Sequence, residues 1–421
     1  MQAPNFLAIS IWIGVIQILF DSYVLAHWTR TVRRLGMSPW WYRSLWIVAL
    51  VCTLVYWYVV YRRNLYRLEG LNVLLFAITS LWTLPKIAIV PILLVKDFSR
   101  VVSAVLKRRP KGGVSPTGGP LDGGSTVANP ERRALLSKSA WALTVLPYGI
   151  VGNGMFNTLY DFQVHNVEIE LPNLPRAFDG FRIVHISDIH AGSFYDHTPF
   201  QEARRIIESL RADAIVITGD FVNARPHELT VIERELPKLR APEGVYGVPG
   251  NHDHYNAKAE YESIVRVLND WGVQMLVNKQ QRFSIGSERL VLAGTDNTGF
   301  RQSFGKLDLA LKGVEQDDAV ILLAHDPTFF DRGVKESAVG LMLSGHTHGG
   351  QFGVSMLGYE WSPAQYVYRH WAGLYREGSQ QIYVNRGLGT VGPPIRIGIR
   401  PEITHITLRR PSYQTRAANS A

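Results

Sequence analysis

Val245-Tyr246-Gly247-Val248-Pro249-Gly250-Asn251-His252-Asp253 sets an apolar run of strand length against an amide, an imidazole and a carboxylate on three successive positions. Gly250 allows a sharp backbone turn at the junction, so the polar groups belong to a loop at a strand end. A single match of this kind carries little weight, but four other segments are built the same way. Phe181 to Ser187 leads to Asp188-Ile189-His190, and Ala214 to Gly219 leads to Asp220. Ala319 to Ala324 leads to His325, and Val339 to Gly345 leads to His346-Thr347-His348. Buried parallel strands read as continuous apolar runs, and open α/β sheets form their sites outside the carboxyl ends of such strands. The five loops can therefore converge.

Helical segments separate these strands. Thr198-Pro199-Phe200-Gln201 predicts a helix start, with Thr198 as cap, Pro199 at the first helical position and Gln201 as capping-box partner. Phe200, Ala203, Ile207 and Leu210 then share one face. Tyr261, Ile264, Val265, Leu268 and Trp271 repeat at helical spacing, and Gly272 closes that helix. The βαβαβ alternation gives way to strand-like Gln281 to Gly286 and Arg289 to Ala293. An α/β domain over residues 161–410 is expected, a two-sheet β-sandwich flanked by helices, followed by a tail at 411–421.

Residues 1–156 read differently. The formal charge of +9 is uneven: residues 1–150 hold 17 Lys/Arg against 5 Asp/Glu, whereas residues 151–421 hold 27 against 30. The basic excess lies between apolar runs rather than on a folded face, which speaks for membrane topology and against nucleic acid as a partner. The single cysteine, Cys52, excludes an intrachain disulfide and a Cys-based zinc site. Apolar runs occupy Phe6 to Trp28, Ser44 to Tyr61, Leu71 to Val95 and Ala140 to Phe156. No basic segment precedes the first, so a cleaved signal peptide is not expected. Ser44 to Tyr61 is 18 residues without a charge, long enough to cross a bilayer, whereas Pro85, Lys86 and Pro91 interrupt the third run. Eight of the eleven tryptophans fall here, several at the ends of runs, as interfacial anchors do. About four helices are expected, with Asp21 and Lys86 reaching for the headgroups or the interface. Loops one and three carry 13 Lys/Arg against three in loop two, which assigns loops one and three to the cytoplasm and the C-terminal domain to the extracytoplasmic side of a phospholipid bilayer. Residues 110–130, rich in glycine and proline, read as a flexible linker. Arg132-Arg133 ahead of the last run resembles a twin-arginine export signal.

Asp188-x-His190, Gly219-Asp220 with Asn223, Gly250-Asn251-His252-Asp253, His325-x-Pro327 and Gly345-His346-x-His348 resemble, in order, the motif set of the calcineurin-like metallophosphoesterases. Gly349-Gly350-Gln351, Asn385 to Gly389, Pro394-Ile395-Arg396 and Arg400 to Ile403 resemble the membrane-associated YkuE/YaeI-like branch, which is similar to some UDP-diacylglucosamine pyrophosphatases. The resemblance implies a metallophosphoesterase domain with two divalent metal ions. Asp188, His190 and His348 would hold one, Asn251, His325 and His346 the other, and Asp220 would bridge them. Nitrogen and oxygen ligands without thiolate suit Mn²⁺, Fe or Zn²⁺, and the family points to Mn²⁺. His252 would act as general acid, with Asp253 holding its ring.

Other residues near the motifs have plainer readings. His185 belongs to a strand interior. Asn223, His197, His254 and Tyr255 line the site or face solvent. Arg386 holds phosphate oxygens or sits in a salt bridge. Trp361, Tyr366, Tyr368 and Trp371 form an aromatic cluster, read as ordinary core or as a surface for lipid or substrate. The expected function is a membrane-anchored phosphoesterase acting on a phosphodiester or pyrophosphate, lipid-linked or from the cell envelope. A cytoplasmic-face UDP-diacylglucosamine-type pyrophosphatase and a non-catalytic, metal-stabilised receptor or scaffold are the alternatives.

Overall fold

The computed structural model describes residues 6–61, 71–107, 144–299, 302–356 and 358–411. The linker 110–130, the arginine pair at 132–133, the basic residues of loop two and the tail beyond 411 lie outside the described residues. The chain divides into two compact units, residues 1–60 with 78–152 and residues 61–77 with 153–421.

In the N-terminal part of the chain α1 spans Phe6–Arg34 and α2 Trp40–Tyr61, and Pro85 opens α4 (Pro85–Lys107) directly after α3 (Leu71–Thr83). Pro85 sits at the start of α4, where a missing N–H does no harm, while Pro91 lies inside that helix, so the third apolar run stays helical on both sides of Leu84. Among the described residues, three stretches are long and apolar enough to cross a membrane: Ser10–Arg34, Trp40–Val60 and Leu74–Val105. Of the fourth run, only a helix over 144–156 (α5) is described. Asp21 and Lys86 do not reach outward. Lys86 Nζ lies 2.7 Å from Asp21 Oδ1, with both side chains buried. The ammonium sits 3.7 Å from the Trp82 ring centroid, and Trp82 Nε1 donates to Asp21 Oδ2 at 3.2 Å. Each charge has its opposite at hand, which removes the drive to snorkel.

The second unit contains two six-stranded sheets. One has the order β1-β14-β2-β3-β4-β5, built from Gln163–Glu170 (β1), Arg182–Ile186 (β2), Ala214–Thr218 (β3), Val245–Val248 (β4), Val273–Met275 (β5) and Glu402–Arg409 (β14). The other has the order β12-β13-β9-β8-β7-β6, from Lys279–Ile285 (β6), Glu288–Gly294 (β7), Val320–Leu323 (β8), Leu341–Ser344 (β9), Gly373–Glu377 (β12) and Gln380–Val384 (β13). β2 to β5 run parallel, as do β7, β8, β9 and β13. Val354–Met356 (β10) and Tyr359–Trp361 (β11) form a separate two-stranded ribbon.

Every residue of β3, β4, β8 and β9 is buried. Ile183, Val216, Val248, Leu292, Ile321 and Leu343 fill the space between the sheets. Helices α6 (Thr198–Ser209) and α7 (Lys258–Asp270) close the outer face of the first sheet with Phe200, Ile207, Ile264 and Leu268. This is the α/β sandwich expected, with one change of detail. Thr198 lies inside α6, and its N–H donates to Asp196 Oδ1 at 2.8 Å, so the expected capping box does not form.

Candidate metal centre

The carboxyl ends of β2, β3, β4, β8 and β9 deliver the five loops to one place. At one focus, His190 Nε2 and His348 Nε2 lie 3.1 Å apart, and Asp188 Oδ1 lies 3.3 Å from His348 Nε2. At the other, His346 Nδ1 lies 3.3 Å from His325 Nε2. Asp220 Oδ2 stands between them, 3.5 Å from His190 Nε2 and 3.1 Å from His325 Nε2. All of these residues but the partly exposed His346 are buried. The Asn251 side chain donates from Nδ2 to Tyr255 Oη at 2.9 Å, while its Oδ1 is buried without a hydrogen-bond partner. Burying such an acceptor unpaired is costly, so it is best understood as kept for a cation.

The donor set therefore fits two divalent ions. Burial, with His252 beside it, holds His190 well below the ordinary histidine range; burial and the Arg396 charge do the same for His348, and burial with His325 lowers His346. These shifts favour the neutral ring, the form that binds a metal. Burial also opposes protonation of His325, but Asp220 outweighs it and holds that ring up at about 10, so ion binding there must displace a proton.

The candidate ligands occupy unusual backbone. Asp188 (φ 50°), His190 (45°), Asp220 (54°), His346 (73°) and His348 (52°) are all left-handed. They make up half of the ten non-glycine residues in that region among the described residues. Such conformations are unfavourable for L residues and persist where surrounding structure enforces them. Here the enforcement is visible: Asp188 N–H donates to Gly219 O (3.0 Å), His190 N–H to Asp220 O (2.9 Å) and His346 N–H to Asp188 Oδ2 (2.9 Å).

Outer contacts fix several rings. His325 Nδ1 bonds the Thr218 carbonyl at 2.6 Å, and His346 Nε2 meets Tyr368 Oη at 3.1 Å. His252 Nδ1 lies 2.6 Å from the Asn223 carbonyl, and the ring groups with His190 and Asp220. The ring-holding role expected of Asp253 thus passes to a backbone carbonyl. Asp253 instead accepts N–H bonds from Asp220, Phe221, Val222 and Gly250, clasping two site loops together. Its carboxyl is pushed up to about 7 by burial and by the Asp220 charge.

Arg386 offers nothing to a phosphate. Its Nη1 pairs with Glu402 Oε2 and its Nη2 with Glu360 Oε2, each at 2.5 Å. His185 is core, as read, with Nε2 2.8 Å from Thr218 Oγ1. His254 stacks between Tyr261 and Phe304 and pairs with Asp296 at 2.6 Å.

The residue that sequence reasoning missed is Arg396, quoted earlier only as part of a tail motif. It is fully buried, and Nη2 donates to the carbonyls of Arg386 (2.9 Å), Gly387 (3.1 Å) and Gly389 (2.6 Å). Burial pushes this guanidinium down to about 9, against the pull of Asp188 and Glu402. The loop so held lies on the first ligand loop: Leu388 N–H donates to Ser187 O and Gly389 N–H to Asp188 O. An isolated arginine in a tail gives no local signal of this role.

Comparison with known proteins agrees with the geometry. The family model described as "Calcineurin-like phosphoesterase" matches residues 181–350, and one described as "Probable Calcineurin-like phosphoesterase, transmembrane domain" matches 6–158. The chain is 34% identical over 257 residues to the metallophosphoesterase YkuE of Bacillus subtilis (strain 168), covering 58% of this chain and 84% of that protein. It is 32% identical over 268 residues to the "Transmembrane protein with metallophosphoesterase domain" of Danio rerio, covering 61% of this chain and 60% of the relative. The Bos taurus protein of the same name is 32% identical, with 61% and 59% covered, so the matches span about three fifths of these vertebrate relatives. A buried carboxylate shared by two histidine clusters at the ends of parallel strands, and a relative matched over most of its length, place this chain in the calcineurin-like metallophosphoesterase family.

Proposed function

We propose that this protein is a membrane-anchored, two-metal phosphoesterase that hydrolyses phosphodiester or pyrophosphate bonds of a lipid-linked or cell-envelope substrate. The observation that carries this is the pair of ligand foci sharing Asp220, with His252 beside them. Asp188, His190 and His348 would hold one ion, Asn251, His325 and His346 the other, with Asp220 between, and Mn²⁺ suits this nitrogen and oxygen set. When bound, such a pair supplies hydroxide near neutral pH and polarises the phosphoryl group. The chain's own contribution is then proton handling and position. With Nδ1–H donating to the Asn223 carbonyl, the imidazolium form of His252 carries its second proton on Nε2, which would deliver it to the leaving oxygen and leave the ring neutral. Asp253 keeps the loops of Asp220 and Gly250 in register, so the bridging carboxylate and His252 hold their spacing.

We place the catalytic domain on the extracytoplasmic side, a reading supported by the Lys/Arg asymmetry and one that requires the helix at 144–156 to cross as well. Protease added to sealed, right-side-out vesicles should digest it; full protection would move it to the cytoplasmic face.

Activity is tested on the detergent-solubilised full chain with an aryl phosphodiester and added Mn²⁺. Cleavage should depend on the metal, and His252→Ala should lower kcat about 10²-fold or more while Mn²⁺ affinity is retained. Metal-independent cleavage, or unchanged kcat in His252→Ala, would sink the mechanism.

A further inference from the structure

The segment from Phe352 to Tyr368 holds one formally charged side chain, Glu360. That carboxylate is paired with Arg386 at 2.5 Å. The described residues of the segment therefore present apolar and aromatic groups to the outside: Val354 is 43% exposed, Met356 65%, Tyr359 63%, Tyr366 76% and Val367 74%. They are carried by the β10–β11 ribbon and the short turn after it, and among the described residues the ribbon pairs with no third strand.

A lone two-stranded ribbon is marginal in water, and here the support comes from its base. Gly353 N–H donates to Ile397 O at 2.8 Å, Ser362 Oγ–H to Phe352 O at 2.9 Å, and Glu360 anchors one strand to Arg386. The base is tied while the apolar side chains face away from any core. The far end of the same segment reaches the metal centre, where Tyr368 Oη meets His346 Nε2 at 3.1 Å. Ribbon and site adjoin.

We propose that the strands Val354–Met356 and Tyr359–Trp361, with Tyr366 and Val367, insert into the interfacial layer of a phospholipid bilayer and seat the metal centre at the membrane surface. The proposal rests on the membrane-anchored phosphoesterase reading and narrows its substrate class to phosphate esters presented by lipids of that bilayer. Three observations select the bilayer as occupant. The chain carries helices long and apolar enough to cross a membrane, so a bilayer is always within reach. The surface has tyrosine and tryptophan beside valine and methionine, the mixture favoured at the headgroup boundary. Its sole charge is already paired, so insertion desolvates no free ion.

The test uses the full chain in phosphatidylcholine/phosphatidylglycerol nanodiscs. Cys52 is the single cysteine, so a Cys52→Ser background accepts one spin label at Met356→Cys, Val367→Cys or, as control, the exposed Arg205→Cys. Labels at 356 and 367 should relax more with oxygen than with a water-soluble nickel chelate, and the label at 205 the reverse. Equal nickel access at all three positions overturns the proposal, and so does label–label coupling that marks a second copy as the occupant. A second arm compares substrates. The double variant Val354→Asp, Met356→Asp should lose about tenfold in turnover of a phosphodiester lipid in vesicles, yet cleave a soluble aryl phosphodiester as wild type does. Equal loss on both substrates assigns the ribbon to folding and overturns the proposal. If the wild type cleaves neither, the phosphoesterase reading falls, and the labels alone decide insertion.

Discussion

At the scale of single residues, the site depends on groups doing work that their position in a motif does not reveal. Asp253 follows His252 directly, yet its two oxygens take four backbone N–H groups from the loops of Asp220 and Gly250. Asp253→Asn leaves one oxygen and turns an NH₂ toward amide donors, so stability should fall by about 2 kcal/mol or more and metal affinity should fall with it. Calorimetric unfolding and Mn²⁺ titration check this; a drop in kcat alone would restore the ring-holding role. His185 supplies a pH dependence separate from the metals. Burial pushes its imidazole down to about 4, against the pull of Glu402 and Asp188, whereas in the unfolded chain it titrates near ~6.5. The unfolded state therefore takes up the proton first. The stability His185 contributes is complete above ~6.5 and is lost as pH falls toward about 4, by at most ~1.4 kcal/mol per pH unit. In His185→Phe, the slope of the unfolding midpoint against pH should flatten across that window.

At the scale of elements, three parallel strands of one sheet and two of the other form a fixed comb whose ends carry the candidate ligands. The loops between them leave no spare volume: a Cβ on Gly250 would stand 2.2 Å from Asp220 Oδ1, and one on Gly345 1.8 Å from Ser187 Oγ. Gly250→Ala must push the carboxylate that serves both foci. It should bind less than the wild-type complement of metal by elemental analysis and lose about 10²-fold or more in kcat/KM. The strands and most loops were legible because period and composition are local: a buried parallel strand is an uninterrupted apolar run, and a polar loop ends it. The start of α6 was misread for the same local reason. Thr198 has the right side chain for a cap, but Asp196, two residues earlier, accepts its N–H in space.

At the scale of the whole molecule, charges set far apart in the chain are joined inside each unit. In the first, Asp21 and Lys86 form a buried pair braced by Trp82. Removing one partner strands the other, so Asp21→Leu should destabilise the detergent-solubilised protein by about 3–5 kcal/mol, and Asp21→Leu with Lys86→Met should recover most of the loss. Thermal unfolding of both variants tests this. In the second unit, Arg386 is claimed by Glu360 and Glu402, Arg396 by three carbonyls of the loop over Asp188, and His252 by the Asn223 carbonyl. The order of residues by itself determined the apolar spans, the strand-and-loop grammar and the candidate ligands, because each is written in a few consecutive side chains and their period. Only the tertiary structure decided which charge meets which, which group holds His252, and where the largely apolar ribbon lies relative to His346. Hydrogen bonds and ion pairs are set by ångström distances across the fold, and those distances do not exist until the sheets have closed.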